Sequence, residues 1–229
     1  MIAMILAAGP GERMRPLTDT TPKPLLKAGR YRLVEYHLLA LAAAGFTDIV
    51  INHAYLGKQI EEALGDGSRY QVRIHYSPEG ETGLETGGGI VRALPLLGNE
   101  PFVTVNADIW TDFPFATLSL PQGASAHLVM VDTPAYKTSG DFVLQDNLLH
   151  EGNGDSLTFS GIAVYDPDFF AACRPGCFSV TPMLRQAMRN NRVSGEHYRG
   201  YWMDIGTPER LQELDHRLGA GGSPLEDSA

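Results

Sequence analysis

The segment that decides the fold is AMILAAGPGER, residues 3–13, in which a short apolar run meets a glycine-rich turn. A run of this kind that stops at Gly-Pro-Gly is typical of a buried strand followed by a tight turn. Ala3–Ala7 is therefore predicted to be the first strand. Residues 10–32 are rich in Pro, Gly, Thr and Arg and show no period. They are predicted to form a long loop, which in a compact domain is usually functional or disordered.

Helical and strand patterns alternate after this loop as far as Asn106. The predicted helices are Leu33–Ala44, Leu56–Leu64 and Thr86–Leu94, and the predicted strands are Asp48–Asn52, Val72–Tyr76 and Phe102–Asn106. Such alternation indicates an α/β fold with a Rossmann-like, mostly parallel mixed sheet and helices on both faces. Ligands of these sheets bind beyond the carboxyl ends of the strands. One crevice should therefore collect Gly9–Arg13, Asn52, Pro78–Gly80 and Asp108.

The second half of the chain is less regular. Strands are predicted over Ala126–Asp132, Asp141–Leu144 and Leu157–Tyr165, mixed strand and turn over Val193–Met203, and helices over Val180–Asn190 and Thr207–Leu218. No internal repeat is visible. We expect one domain over residues 1–218, followed by a flexible, Gly-rich and acidic tail at 219–229.

Composition excludes several classes of protein. The 229 residues include 43% hydrophobic and 20% charged residues, which is ordinary for a globular domain. The net charge of −9 argues against non-specific nucleic-acid binding, which needs a basic surface. No apolar run reaches the roughly 20 residues that span a bilayer. The start MIAMILAAG is too short for a signal peptide, so we expect a cytoplasmic protein with no membrane partner.

Basic residues are concentrated in the long loop. Residues 11–32 hold six of the 18 Lys and Arg residues but only two acids, Glu12 and Asp19. A local basic segment in an acidic protein can focus a small anion. The same pattern also fits a solvated, charged loop, and charge alone leaves both interpretations open.

The loop carries a phosphate-binding pattern, G-x-G-x-R followed by P-K-P. Gly9 and Gly11 let backbone amides approach a phosphate chain closely. Arg13 offers a planar fork suited to phosphate oxygens, and Lys23 is a point charge between two prolines. The pattern is not the P-loop G-x-x-x-x-G-K-[ST]. It is not a dinucleotide fingerprint either, because Arg13 replaces the third Gly and strand two ends without an acid at Asn52.

Three further segments carry candidate site residues. Gly87–Gly89 open a helix, which suits close approach of a base or ribose, or simply close packing. Asp108 follows a buried strand, where an unpaired carboxylate is costly and magnesium is a natural partner. Asp204 lies at a turn into a helix, where it could cap that helix or bind metal.

Taken together, these segments resemble the sugar-1-phosphate nucleotidylyltransferases. The matching motifs are G-x-G-x-R-x-x-P-L-T, P-K-P-L, the Gly-rich helix start, the strand-end Asp and D-I-G-T-P-E, and they cover almost the whole chain. The resemblance implies a GT-A-like fold and an enzyme that joins a sugar 1-phosphate to a nucleoside triphosphate, here UTP, with release of pyrophosphate. It also implies Mg²⁺ as cofactor and a monomer or small homo-oligomer.

The resemblance also implies a set of site residues. Arg13 and Lys23 are the expected catalytic residues, and Asp108 and Asp204 the expected metal ligands. A nucleotide-binding half at 1–115 should bind through Leu6, Ala7, Ala8, Gly9, Gly11, Glu12, Arg13, Lys23, Glu79, Gly87 and Asn106. A small α+β half at 116–218 should bind the sugar through Asn106, Thr158, Ser160, Gly161 and Arg199. Arg199 is included because it precedes Asp204 closely, although it could instead pair with Glu196.

Three rival functions follow from the same motifs. A sister enzyme would act on mannose or glucose 1-phosphate with another nucleotide, and the sequence does not place the loop contacts that choose the base. A regulatory protein would bind a sugar nucleotide without catalysis, but it would tolerate loss of the charged residues that are all present here. A glycosyltransferase would bind metal through D-x-D, and residues 106–108 lack the first Asp.

Overall fold

The computed structural model describes residues 1–152 and 155–220, and its helices and strands lie close to the predicted positions. The helices are α1 (Leu33–Ala43), α2 (Gly57–Leu64), α3 (Glu85–Leu97), α4 (Thr181–Arg189) and α5 (Pro208–Ala220). The strands are β1 (Ala3–Leu6), β2 (Lys27–Ala28), β3 (Tyr31–Arg32), β4 (Asp48–His53), β5 (Arg73–Pro78), β6 (Phe102–Asn106), β7 (Ile109–Thr111), β8 (Ala126–Val131), β9 (Phe142–Gln145), β10 (Leu148–His150), β11 (Ser156–Tyr165), β12 (Val193–His197) and β13 (Trp202–Asp204).

The main sheet has the strand order β5-β4-β1-β6-β11-β8-β12-β10-β9. β5, β4, β1 and β6 pair in parallel, as the alternating pattern predicted. β11 runs antiparallel between β6 and β8, so strands from both halves of the chain belong to one mixed sheet. The predicted α/β fold with a mixed sheet is confirmed. The carboxyl ends of β1, β4 and β6 open on the same edge.

Helices cover both faces of the sheet because apolar side chains alternate along the strands. Ile5 and Ile51 point to one face, where they pack in one cluster with Leu38 of α1. Met4 and Val50 point to the other face and pack with Ile90 of α3. Burying both faces in this way leaves the strand ends, and the loops after them, as the accessible edge of the sheet.

A third apolar cluster fastens the long loop to the C-terminal helix. Met14, from the predicted phosphate loop, is fully buried together with Trp110, Ile205 and Leu214 of α5. The buried side chain of Met14, the residue after Arg13, thus fixes the loop to this cluster. α5 continues to Ala220, two residues into the segment predicted as the tail, and residues 221–229 lie outside the described residues.

Helix length and composition also bear on membrane association. Across residues 1–152 and 155–220, no helix combines the length and apolar character needed to cross a bilayer.

Candidate active site

A cavity of about 710 Å³ opens at the carboxyl ends of β1 and β6. This is the edge where ligands of parallel α/β sheets bind. Ten of the predicted site residues line it: Leu6, Ala7, Ala8, Gly9, Gly11, Glu12, Arg13, Lys23, Asn106 and Asp108. The structure therefore brings the phosphate loop, the P-K-P lysine and the strand-end aspartate to one place.

The loop after β1 is shaped by contacts with side chains from β4 and from the loop itself. The backbone N–H of Ala7 donates to Oδ1 of Asn52 at 2.9 Å, which ties the loop to the end of β4. Gly11 has φ +67° and its carbonyl accepts from the Thr18 hydroxyl at 2.9 Å. The positive φ favours glycine at this position. A Cβ at Gly11 would also be crowded, since it would lie 3.1 Å from side-chain atoms of both Thr18 and Lys23.

Lys23 and Asp108 form an ion pair across the cavity floor. Nζ of Lys23 lies 2.6 Å from Oδ2 of Asp108, and the two side chains are 9% and 41% exposed. A buried ammonium needs a charged partner, because desolvation is costly otherwise. The Asp108 side chain is the more exposed of the two and lines the cavity, where it can contact a ligand.

His37 lies behind this pair on α1 and carries no charge at neutral pH. Burial lowers the pKa of His37 to about 4, against smaller opposing effects of the Ile109 backbone and the Asp108 carboxylate. Its Nε2 atom has no hydrogen-bond partner within the described chain. The positive charge beside Asp108 therefore comes from Lys23 and not from the histidine.

Pairing of β13 with β7 brings Asp204 close to Asp108. β13 pairs with β7 so that Asp204 stands opposite Ile109, and the N–H of Ile205 donates to the carbonyl of Asp108 at 2.7 Å. Asp204 itself does not line the cavity, but Gly206 does. The two predicted metal ligands are neighbours, although each carboxylate already contacts other side chains.

Tyr136 and Arg210 contact the Asp204 carboxylate, and sequence reasoning missed both. The Tyr136 hydroxyl donates to Oδ1 of Asp204, and the Arg210 guanidinium pairs with the same oxygen. Burial and the hydrogen bond to Asp204 raise the pKa of Tyr136 to about 12, so its hydroxyl remains protonated. Arg210 follows the D-I-G-T-P-E motif directly, a position that could have drawn attention. No local signal marked Tyr136.

The donor set is compatible with magnesium. Within residues 1–152 and 155–220, no group of three or more His, Cys, Asp or Glu residues could hold a metal by itself. Magnesium, however, is commonly bound through one or two carboxylates together with substrate phosphates and water. Asp108 and Asp204 could supply those carboxylates.

Glu79 holds the loops around the cavity and does not line it. Its Oε1 accepts from Nδ2 of Asn52 at 2.6 Å, and its Oε2 accepts from the backbone N–H of Leu84 at 2.6 Å. Both oxygens are therefore engaged inside the protein. The Glu79 carboxylate, predicted to contact base or ribose, joins the end of β4 to the segment before α3.

The glycines of α3 make room for other parts of the protein. A Cβ at Gly87 would lie 2.5 Å from the Phe178 ring, and one at Gly88 would lie 2.0 Å from the carbonyl oxygen of Gly176. The N–H of Gly88 also donates to the Phe178 carbonyl at 3.1 Å. Close packing, one of the two interpretations left open by the sequence, explains these residues. Gly87 does not line the cavity; Gly83, Glu85 and Thr86 do.

We expect Gly88→Ala to destabilise the protein by about 1–3 kcal/mol, because a backbone carbonyl cannot move aside as a flexible side chain can. The free energy of unfolding from urea titration measures this. Gly176→Ala is the matched control, since a Cβ there meets no atom within 4 Å. Equal stability of the two variants would contradict the packing explanation.

Of the residues predicted to bind the sugar, one lines the cavity and three lie in strand β11. Asn106 lines the cavity, whereas Thr158, Ser160 and Gly161 do not. Ser160 is buried and its hydroxyl donates to the Val129 carbonyl at 2.7 Å, at the irregularity where β11 shifts register against β8. Gly161 has φ +87°, and a Cβ there would lie 2.7 Å from Nδ2 of Asn106. Ser160 and Gly161 thus shape the strand beside Asn106.

Arg199 lies on the surface, in the connection between β12 and β13, and does not line the cavity. Its alternative partner, Glu196, instead has Oε1 within 3.3 Å of Nε2 of His127. The sequence placed Arg199 by proximity to Asp204 along the chain. Arg199 precedes β13, whereas Asp204 is the last residue of that strand.

Comparisons with known proteins agree with this geometry. The nucleotidyl transferase family pattern matches residues 2–139. An N-acetylmuramate alpha-1-phosphate uridylyltransferase from Neisseria meningitidis serogroup B is 53% identical, over 96% of this chain and 99% of that protein. A mannose-1-phosphate guanyltransferase from Schizosaccharomyces pombe is 32% identical, over 91% of this chain and 62% of that protein.

A solved structure shares the fold. A protein assigned as a glucose-1-phosphate thymidylyltransferase, from Bacillus anthracis, superposes with a TM-score of 0.84 over 97% of both chains at 22% identity. At this identity, the likeness concerns the fold alone. Because the family pattern covers more than half of the chain and the Neisseria relative is similar almost from end to end, the chain belongs to the nucleotidyl transferase family.

Proposed function

We propose that the protein is a uridylyltransferase that joins N-acetylmuramic acid α-1-phosphate to UTP, giving UDP-N-acetylmuramic acid and pyrophosphate. The reaction would serve peptidoglycan recycling in the cytoplasm, where nucleoside triphosphates are made. The observation that carries the proposal is the cavity in which Arg13, Lys23 and Asp108 meet. The similarity to the Neisseria uridylyltransferase, which spans nearly the whole of both proteins, supports the choice of substrates.

The proposed reaction is an in-line attack of a sugar phosphate oxygen on the α-phosphorus of UTP. The P–O bond to the β-phosphate breaks as the new P–O bond forms, and pyrophosphate leaves with the bonding electrons. A phosphate monoester has its second pKa near 6 and is largely a dianion at pH 7. The nucleophile needs no general base, so catalysis reduces to positioning and charge neutralisation.

The residues around the cavity would supply both functions. Arg13, whose guanidinium can bind phosphate oxygens in a bidentate manner, would neutralise charge on the triphosphate. Lys23 would add a second positive charge and hold Asp108 in place. Asp108 and Asp204 would hold magnesium, which stabilises negative charge developing on the phosphates when bound. Backbone amides from Leu6 to Gly11 would face the nucleotide.

The decisive experiment is a substrate panel. Purified protein is given each of four nucleoside triphosphates with the 1-phosphates of N-acetylmuramic acid, N-acetylglucosamine, mannose and glucose, and pyrophosphate release is measured. The proposal expects the highest kcat/KM for UTP with the muramic acid substrate. Highest activity with GTP and mannose 1-phosphate would favour the activity of the Schizosaccharomyces relative. Nucleotide binding without turnover on any pair would favour a regulatory protein.

A second test concerns Arg199, which we propose to contact the lactyl carboxylate of N-acetylmuramic acid. Arg199 is exposed on the loop after β12, whose carboxyl end lies at the same edge of the sheet as that of β6. It forms no hydrogen bond or ion pair with the described residues. Losing a hydrogen bond to a charged group costs about 1.5–3 kcal/mol. We therefore expect Arg199→Ala to lower kcat/KM about tenfold or more for the muramic acid substrate.

N-acetylglucosamine 1-phosphate lacks the lactyl group and serves as the comparison substrate. Arg199→Ala should change its kcat/KM little. Arg185→Ala is the matched control and should affect neither substrate. It removes an exposed arginine of α4 that pairs with Glu151. Equal losses on both sugars in Arg199→Ala would reject the assignment.

A further inference from the structure

We propose that Tyr136 and Arg210 are positioning residues that orient the Asp204 carboxylate for a divalent cation. The inference rests on the proposed function in one respect, the role of Asp204 as a metal ligand. It adds two residues that lie outside the cavity and act through Asp204.

The three side chains form a closed set of contacts. The Tyr136 hydroxyl donates to Oδ1 of Asp204, and Nη1 of Arg210 pairs with that same oxygen. The guanidinium carbon of Arg210 also lies 4.4 Å from the centre of the Tyr136 ring, within the range of a cation–π contact. Each residue thus contacts the other two, so a change at one affects the hold on the carboxylate.

The other carboxylate oxygen lies beside Gly206, a residue that lines the cavity. Oδ2 of Asp204 lies 2.9 Å from the position that a Cβ on Gly206 would take, and Gly206 lines the cavity. Nη2 of Arg210 lies 2.8 Å from that same position, and Nη2 of Arg13 lies 3.1 Å from it. Two donors on Oδ1 restrain rotation of the carboxylate and keep Oδ2 beside Gly206. Hydrogen bonds to a ligating group from outside the coordination sphere commonly orient it in this way.

The two positioning residues come from separate elements. Tyr136 belongs to the connection between β8 and β9, and Arg210 to the first turn of α5. Tyr136 is 54% exposed, yet its hydroxyl reaches a residue 68 positions further along the chain. The connection from the second half of the chain is thereby tied to the proposed metal site.

The test uses Tyr136→Phe, which removes the hydroxyl but keeps the ring beside Arg210. UTP affinity is measured by calorimetry in EDTA and at graded Mg²⁺ concentrations, without sugar phosphate, so that no turnover occurs. We expect UTP affinity in EDTA to equal that of the wild type. The Mg²⁺ concentration needed for the metal-dependent gain in affinity should rise about tenfold to a hundredfold, as for other residues that orient metal ligands.

Two further variants make the result specific. Tyr76→Phe is the matched control, because it removes a tyrosine hydroxyl bond to the Gly65 carbonyl away from the cavity, and its Mg²⁺ dependence should be that of the wild type. Asp204→Asn should lose most of the metal-dependent gain. If Asp204→Asn keeps that gain, the proposed metal role of Asp204 is wrong.

If Asp204→Asn loses the gain while Tyr136→Phe retains wild-type Mg²⁺ dependence, only the positioning proposal fails. Tighter Mg²⁺ binding by Tyr136→Phe would also overturn it, since Tyr136 would then compete with the metal. Failure of the proposed substrates appears separately, in the pyrophosphate panel.

Discussion

Replacing Asp108 by Asn is expected to lower kcat by at least about 10²–10³, the range seen when one group that stabilises transition-state charge is removed. Asn keeps the size of the side chain but removes the negative charge that would bind magnesium. The substitution also takes the counter-ion from the buried Lys23 ammonium, 2.6 Å away. Both effects act on the reacting phosphates, so the loss should appear in kcat under saturating substrate.

Two controls separate catalysis from folding in this experiment. Circular dichroism melting should show that Asp108→Asn remains folded. Asp112→Asn is the matched substitution, at the other end of β7. Asp112 accepts from the Tyr201 N–H at 2.8 Å through Oδ1, an atom that Asn retains. Activity of Asp108→Asn close to that of Asp112→Asn would rule out the proposed role of Asp108.

Replacing Arg13 by Ala is expected to lower kcat by about 10²–10³, on the same scale as the removal of an oxyanion donor. Arg13 lines the cavity. It lies on a short helical turn at Glu12–Met14, which the buried Met14 side chain holds in place. Arg13→Lys should also be poor, because an ammonium keeps the charge but not the planar fork. Steady-state kinetics with UTP and the muramic acid substrate measure both variants.

Arg15→Ala is the natural control for this prediction. Arg15 lies two residues further along the same loop and pairs with Asp19 at 3.4 Å, outside the cavity. Its removal should leave kcat near the wild-type value. If Arg13→Ala raised KM while kcat stayed unchanged, Arg13 would bind substrate and transition state equally, and it would not be a catalytic residue.

The sequence alone determined the parts of this protein that depend on local pattern. The apolar runs in β1 and β4 and the helical spacing in α1 lie within short segments, so these local patterns predict structure and burial directly. The phosphate loop, Lys23 and Asp108 were found for a related reason. Charged or glycine residues at the ends of predicted parallel strands must meet at one edge of the sheet.

Only the tertiary structure decided how residues distant in the chain contact one another. Gly87 and Gly88 leave space for residues 176–178, and Glu79 forms hydrogen bonds with Asn52 and Leu84. None of these three residues lines the cavity. Tyr136 reaches Asp204 across 68 residues and carries no local signal. Such contacts arise from the order and register of strands and from the packing of loops over them. A glycine or a carboxylate can have several roles in a protein, and the tertiary packing around it decides which role it has.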